Sequence, residues 1–317
     1  PVFRTLQAAT ARGLDFISVT DHNTTSQANS LRELAPYFDN LVLIPGREIT
    51  TFQGHANLYG TDEPFDFQLG SRAVPDFAAL ARQVQSMDGL LSINHPAMPS
   101  GEICMGCGWS VPDTDYGRVG AMEVVNGGAL AIAGGRADGL FSGLKVWEAA
   151  LNAGDRITGI GGSDNHDPGL DAAKPSAIGV PTTVAGSRGR DVASILAAIR
   201  AGHVFIDVDG SRTLGLAVTV RSGDQSAIMG DVLTVDPQVP VEIRIVVSGL
   251  ESPQVRLAGP LADRARLRAG QGMGEQVYDL DATPGWIRAD ILAADGRLVL
   301  IGNPIYLKPA GVPAASR

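Results

Sequence analysis

Through its first two-thirds the chain repeats one unit about six times: a short apolar run, a loop carrying polar residues, then a helical pattern. Phe16-Ile17-Ser18-Val19-Thr20 is the first such run, and Leu41 to Ile44, Leu90 to Ile93, Met122 to Val125 and Ile157 to Ile160 follow it. Short β-branched runs bounded by Gly, Pro, Asp or Asn suit strands of a parallel sheet buried on both faces. HANLYG, beginning at His55, reads as another strand. Between the runs, helical spacing covers Gln27 to Phe38, Pro75 to Met87, Leu140 to Asn152 and Arg190 to Ala201. Pro75 is read as the N1 proline of its helix, and Gly202 closes the last one. The opening PVFRTLQAATARG is amphipathic and helical. Alternation of this kind predicts an α/β barrel or a doubly wound sheet.

The rhythm changes after about residue 208. Leu214, Leu216, Val218 and Val220 alternate with smaller or polar residues, as do Val241, Ile243, Ile245 and Val247. Further short strands are expected at Gln254 to Leu257, Trp286 to Leu292 and Leu298 to Ile301. Period-2 alternation without helices between predicts a small antiparallel sandwich. The expected division is therefore residues 1–207 and 208–308, with a boundary near 206–213. The tail 309–317 is expected to be disordered.

Against this frame the five histidines are the informative positions. His22 follows a strand in ISVTDHN, His95 does so in LLSINHP, and His166 follows ITGIGG in SDNH. His55 opens a strand directly after LIPGREIT, which carries Glu48 at its end. Loops at strand carboxyl ends build the active sites of α/β barrels, so these residues are expected on one rim. Asp164, two before His166, would share its face in an extended segment. Mixed imidazole and carboxylate donors suit Zn, Mn or Fe with a position left open for water. The candidate ligands are thus His22, Glu48, His55, His95, Asp164 and His166. Asp21 is read as a residue supporting a ligand, a helix cap or a ligand, in that order. His203 is assigned a structural role. Asn126 either faces the pocket or forms a turn before Gly127-Gly128.

Composition narrows the function classes. A net charge of −9, from 34 acidic and 25 basic residues, argues against an extended nucleic-acid groove. No apolar run approaches the roughly 18 residues of a membrane span. The chain reads as soluble, cytoplasmic or periplasmic, with a small molecule as its partner and its oligomeric state open. The two cysteines, Cys104 and Cys107 in CMGCGW, cannot make a four-cysteine zinc site. A local disulfide or a pair of loop thiols is favoured over a metal role. The segment 96–120, with Met98, Met105, Trp109 and Tyr116, is either an apolar lid or an ordinary long loop, and Trp109 and Asn126 are the candidate substrate contacts.

The motifs TDHN, GRE, GHANLYG, NHP and SDNH resemble the PHP (polymerase and histidinol phosphatase) superfamily. The longer stretches GLDFISVTDHNT, NHPAMP with CxxCGW, EVVNGG and LNAGDRITGIGGSDNH are similar to the CehA/McbA-type metallohydrolases, the carbaryl hydrolase type, as is WIRADILAADGRLVLIGNPIYL. The resemblance implies a distorted (β/α)7 barrel holding two or three divalent ions. It implies that Glu48 bridges two of them, with His55 and His95 completing one, Asp164 joining Glu48 at another, and His22 and His166 serving a third. Members of that group carry an HxH motif on a first strand. Here the chain begins in the helix that would follow it, so the expectation is an N-terminally truncated barrel lacking those two histidines.

The chemistry expected of such a site is hydrolysis by a metal-activated water, with the charge developing at the scissile bond stabilised electrostatically. No GxSxG elbow suggests a serine nucleophile instead. His166, Asp164 and His22 are the candidate catalytic residues, His166 or His22 as proton donor. A carbamate, ester or amide is the favoured substrate bond, because Arg47, the basic residue beside a ligand, should turn away by strand alternation. A PHP-type phosphoesterase and a non-catalytic metal-binding protein are the alternatives.

Overall fold

The computed structural model describes residues 1–268 and 274–310. Helix α1 (Val2–Ala11) buries Leu6 and Ala9, and strand β1 (Phe16–Ser18) follows. Helix α2 (Gln27–Leu34) stops short of the Phe38 that periodicity suggested and tightens into a 3-10 turn over Ala35–Tyr37. Pro36 is the reason, since it supplies no N–H and its ring crowds the preceding turn.

Strands β2 (Val42–Ile44), β3 (Gly46–Thr51), β4 (Gly54–Tyr59), β5 (Leu90–Ile93), β6 (Ala121–Asn126) and β7 (Thr158–Gly162) come next. Helix α3 (Phe77–Ser86) lies between β4 and β5, and α4 (Gly127–Ile132) and α5 (Leu144–Ala153) lie between β6 and β7. Pro75 precedes the N-cap of α3 and is not its N1 residue. The cap is Asp76, whose carboxylate accepts from the Ala79 N–H at 2.7 Å.

The sheet order β3-β4-β5-β6-β7 is mixed, not parallel throughout. β3 and β4 pair antiparallel, as do β4 and β5. Within this sheet β5-β6 and β6-β7 are parallel, and β1-β2 is a separate parallel pair. Two residues join β3 to β4, and a parallel pair needs a crossover of about a dozen or more. An isolated parallel bridge from His22 to Glu48 ties the segment after β1 to β3. The outer edge of β1 has no strand partner among the described residues. It faces β7 and β8 (Thr182–Ala185) across a cavity of about 910 Å3. The hydrogen-bonded strands therefore do not close into a barrel.

After β8 come α6 (Val192–Ala201), capped by Gly202 at φ 77°, and β9 (Val204–Asp207). Ten strands follow: β10 (Gly215–Ser222), β11 (Gln225–Ile228), β12 (Val232–Val235), β13 (Val241–Ser248), β14 (Gln254–Ala258), β15 (Arg266–Arg268), β16 (Glu275–Leu280), β17 (Gly285–Leu292), β18 (Leu298–Gly302) and β19 (Ile305–Pro309). One sheet runs β11-β10-β13-β16-β15, and the other β12-β19-β17-β18-β9-β8, with β14 beside β17; β12-β19 is parallel, so the expected sandwich is not antiparallel throughout. Inward residues such as Val220, Ile243, Ile245, Ile291 and Leu300 form a core separate from that packed around β4, β5 and β6.

The second sheet passes straight through the expected boundary, because β18 pairs antiparallel with β9. Asn303 adds a side-chain rung. Its amide donates to the carbonyls of Gly159 and Val204 and accepts from the Gly159 N–H at 2.8 Å. Part of the tail expected to be disordered is ordered: Pro309 ends β19 and the Ala310 N–H donates to Val235. Residues 311–317 lie outside the described residues.

Candidate metal centre

Six residues predicted as ligands come together where β3, β4, β5 and the loops after β1 and β7 meet. Glu48 is the hub. Its buried carboxylate shares a 3.0 Å hydrogen bond with His55 Nδ1 and lies 3.7 Å from His95 Nε2 and 3.6 Å from His22 Nδ1. The cross-strand hairpin does the positioning: Glu48 and His55 stand on paired strands, while the bridge to Glu48 brings in His22. The rings of His55 and His95 are 5.1 Å apart, and that of His22 is 5.9 Å from both His55 and His166. His22 is half exposed, and its Nδ1 also meets the Thr50 hydroxyl at 2.6 Å.

Asp164 and His166 arrive on the loop after β7. The segment is not extended as expected. Asp164 has φ 49°, and His166 Nδ1 turns back to the Asp164 carbonyl at 3.1 Å. His95 has φ 27°, so two of the six residues sit in left-handed backbone that bulky L-residues avoid. Such strain costs on the order of 1–3 kcal/mol per residue and collects at functional sites.

Sequence reasoning missed Glu123. It lies within the run Met122 to Val125, fully buried on β6. Its Oε2 accepts from the His95 backbone N–H at 3.1 Å and from the Asn126 amide at 2.9 Å. The Asn126 amide also reaches Asp164 at 3.3 Å, while its oxygen caps α4 by accepting from Ala129. Asn126 is thus a cap and a bridge to Asp164, not a turn residue. A charge within an otherwise apolar strand was the available signal, because a buried polar group is more informative than the hydrophobes around it.

The electrostatics follow from this packing. Burial alone would raise the Glu48 carboxyl, but the hydrogen bond from His55 and the nearby His95 and His22 outweigh it and hold the group well below the usual carboxylate range. Burial pushes Glu123 the other way, up to about 7, with His95 opposing and Asp164 adding to the rise. Burial opposes protonation of His95, yet Glu48, Glu123 and Asp164 together raise it. A cage that favours a proton on imidazole also favours a cation in its place. Two further observations fit a divalent ion. His22, Glu48 and His55 offer ligand atoms that all lie within 4.8 Å of one another, and His95 Nδ1 is buried without a hydrogen-bond partner.

The other expected positions resolve differently. Asp21 lines the cavity and gives its carbonyl to the Glu48 N–H, while α2 begins after Ser26, so Asp21 caps no helix. Trp109 packs edge-on against Phe77, with its indole N–H on Thr114. In the segment 96–120, Met98 is buried while Ile103 and Met105 are exposed. His203 bonds Asp231 at 3.0 Å, in keeping with a structural role. Cys104 and Cys107 are disulfide-bonded, one of the two favoured readings.

Replacing Glu123 with alanine should strand the His95 N–H and the Asn126 amide, at about 1–3 kcal/mol for each. Glutamine keeps an acceptor oxygen there and should cost less than about 1 kcal/mol. Urea unfolding of the two metal-free variants measures the difference, and equal destabilisation would remove Glu123 from this role.

A crystal structure of a two-domain protein from Bacteroides vulgatus, described as containing a predicted PHP-like metal-dependent phosphoesterase, shares the fold. It is 16% identical, with a TM-score of 0.51, over 96% of this chain and 89% of that one. No family model matches the chain, and no curated protein is significantly similar to it. Among the described residues no helix is long and apolar enough to cross a membrane.

Proposed function

We propose that the chain is a metal-dependent hydrolase of a small molecule. The observation that carries this reading is the gathering of three imidazoles on the buried carboxylate of Glu48, with Asp164 tied to the site through Asn126. A divalent ion held there, Zn, Mn or Fe, supplies an acidified water and a Lewis acid for the scissile group. Glu48 provides the central negative charge, and buried His55 and His95 fix its orientation. Glu123 and Asn126 hold His95 and Asp164 in their strained backbone. His166, 71% exposed at the cavity, is placed to hand a proton to a leaving group. The same reading takes β1 to β9 as an open form of the distorted (β/α)7 barrel, of the CehA/McbA type, with two or three ions.

The favoured bond is a carbamate, ester or amide. Arg47 supports this, because its guanidinium donates to the Glu63 carbonyl at 2.6 Å and stacks on Phe65 and Phe67, away from the cluster. A phosphoesterase is the second reading, favoured by Arg190 and Arg212, which line the same cavity. Metal-loaded protein is expected to hydrolyse aryl esters and aryl methylcarbamates faster than p-nitrophenyl phosphate. Chelation should reduce the rate to background, and added metal should restore it. Faster phosphate turnover selects the second reading, and bound metal with no turnover of any of the three substrates overturns hydrolysis in favour of a binding role.

A further inference from the structure

The CxxC loop lies against the candidate metal centre. Cys104 and Cys107, with His55 and His95, offer four potential ligand atoms that all lie within 4.8 Å of one another, and both histidines and Cys107 are buried. His55 Nδ1 faces Glu48 while its Nε2 meets the Met105 carbonyl at 3.0 Å, inside the CxxC turn. His95 Nε2 lies 3.9 Å from Cys107 Sγ. Two ligands of one tetrahedral zinc, with bonds of about 2.0 Å to nitrogen and 2.3 Å to sulfur, stand roughly 3.5 Å apart, so this spacing is close to a shared ion's.

The loop is built to stay there. Gly106 and Gly108 have φ 80° and 78°, and a Cβ on either would meet the Thr51 or the Met98 carbonyl at 2.0 or 2.7 Å. Gly106 N–H is held by the Ser100 hydroxyl, Trp109 N–H by the Pro96 carbonyl and Ser110 N–H by the Gln53 carbonyl. The turn is therefore pinned to the β3-β4 hairpin and to the chain after His95, the elements that carry the two histidines.

We propose that Cys104, Cys107, His55 and His95 form a second, thiolate-rich metal site in the reduced protein, which the Cys104–Cys107 disulfide switches off. Soft thiolates with two imidazoles select Zn and similar ions over Mg or Ca. Reduction by a dithiol balances the step: the protein disulfide takes two electrons and breaks to two thiolates, the dithiol closes to a cyclic disulfide, and its two protons are released. The ion does not change oxidation state. The site shares two ligands with the hydrolytic cluster but does not depend on hydrolysis.

The test uses the full chain, oxidised and after dithiothreitol reduction and anaerobic removal of the reagent, each titrated with Co(II). Reduced protein should show a sulfur-to-cobalt charge-transfer band in the near ultraviolet. Oxidised protein and the Cys104→Ser/Cys107→Ser variant should not show it. Glu48→Gln should keep the band even though hydrolysis is lost, which separates this site from the hydrolytic reading. The wild-type comparison suffices if the double variant does not fold. A reduced protein without the band, the same band in the oxidised protein, or a disulfide that resists dithiothreitol in the folded chain would overturn the proposal.

Discussion

Glutamine at position 48 is expected to strip the oxidised, disulfide-bonded protein of most of its bound metal and take hydrolysis to background, with the fold unchanged. Among the described residues the side chain is the one carboxylate that approaches His22, His55 and His95 together, and it remains charged despite burial. Glutamine matches its shape and can still accept from His55. What it removes is the negative charge around which three imidazoles are gathered. The loss should exceed the roughly 10–100-fold typical of a residue that only orients a ligand. His95→Ala should do the same by deleting a ligand. Elemental analysis, circular dichroism and rates on an aryl ester together decide the matter, and wild-type metal content in Glu48→Gln would count against the assigned centre.

The second large effect is on stability. Arg288 and Asp290 on β17 are both buried, joined by hydrogen bonds of 3.0 and 3.1 Å. Arg288 also reaches Glu148 on α5 at 2.6 Å and lies over the Trp147 ring at 4.9 Å. Arg288→Ala would leave Asp290 buried with only half-exposed Arg256 beside it, at a cost of about 3–5 kcal/mol. Arg297, whose pairs with Asp295 and Asp209 are exposed, is the control, and its alanine variant should lie within about 1 kcal/mol of wild type. Denaturant unfolding of the two variants under one set of conditions compares them, and similar losses would mean that Arg288 does no more than a surface pair.

What could be read from the residues depended on how local the determinant was. The alternation at 216–220 and 241–247 marks β10 and β13 because each strand has one face in the core. Five of the six candidate ligands were legible because each sits beside a strand end marked by apolar runs, whereas Glu48 lies within β3 and not at its end. Strand direction was not legible from apolarity, since β3, β4 and β5 are as buried as parallel strands though paired antiparallel. The two-residue link at Phe52-Gln53 carried that information instead. β11 and β15 are short and largely exposed, so their own sequences hold little hydrophobic signal. Glu123 escaped because a run scored for apolar content hides its exception. The Cys104 and Cys107 neighbourhood depends on β3, β4 and β5 meeting in space, which no local pattern encodes.

The Asn303 amide and the β18-β9 pairing bear on how this protein could have been assembled and how it could be taken apart. A gene fragment ending near residue 208 would leave β9 with a bare edge and the Gly159 backbone without its amide partner. The C-terminal strands are in that sense scaffolding for the segment that leads to Asp164. They are poor candidates for a cassette that could be swapped between unrelated enzymes, and a recombination joint there would have to carry both sides of the sheet at once.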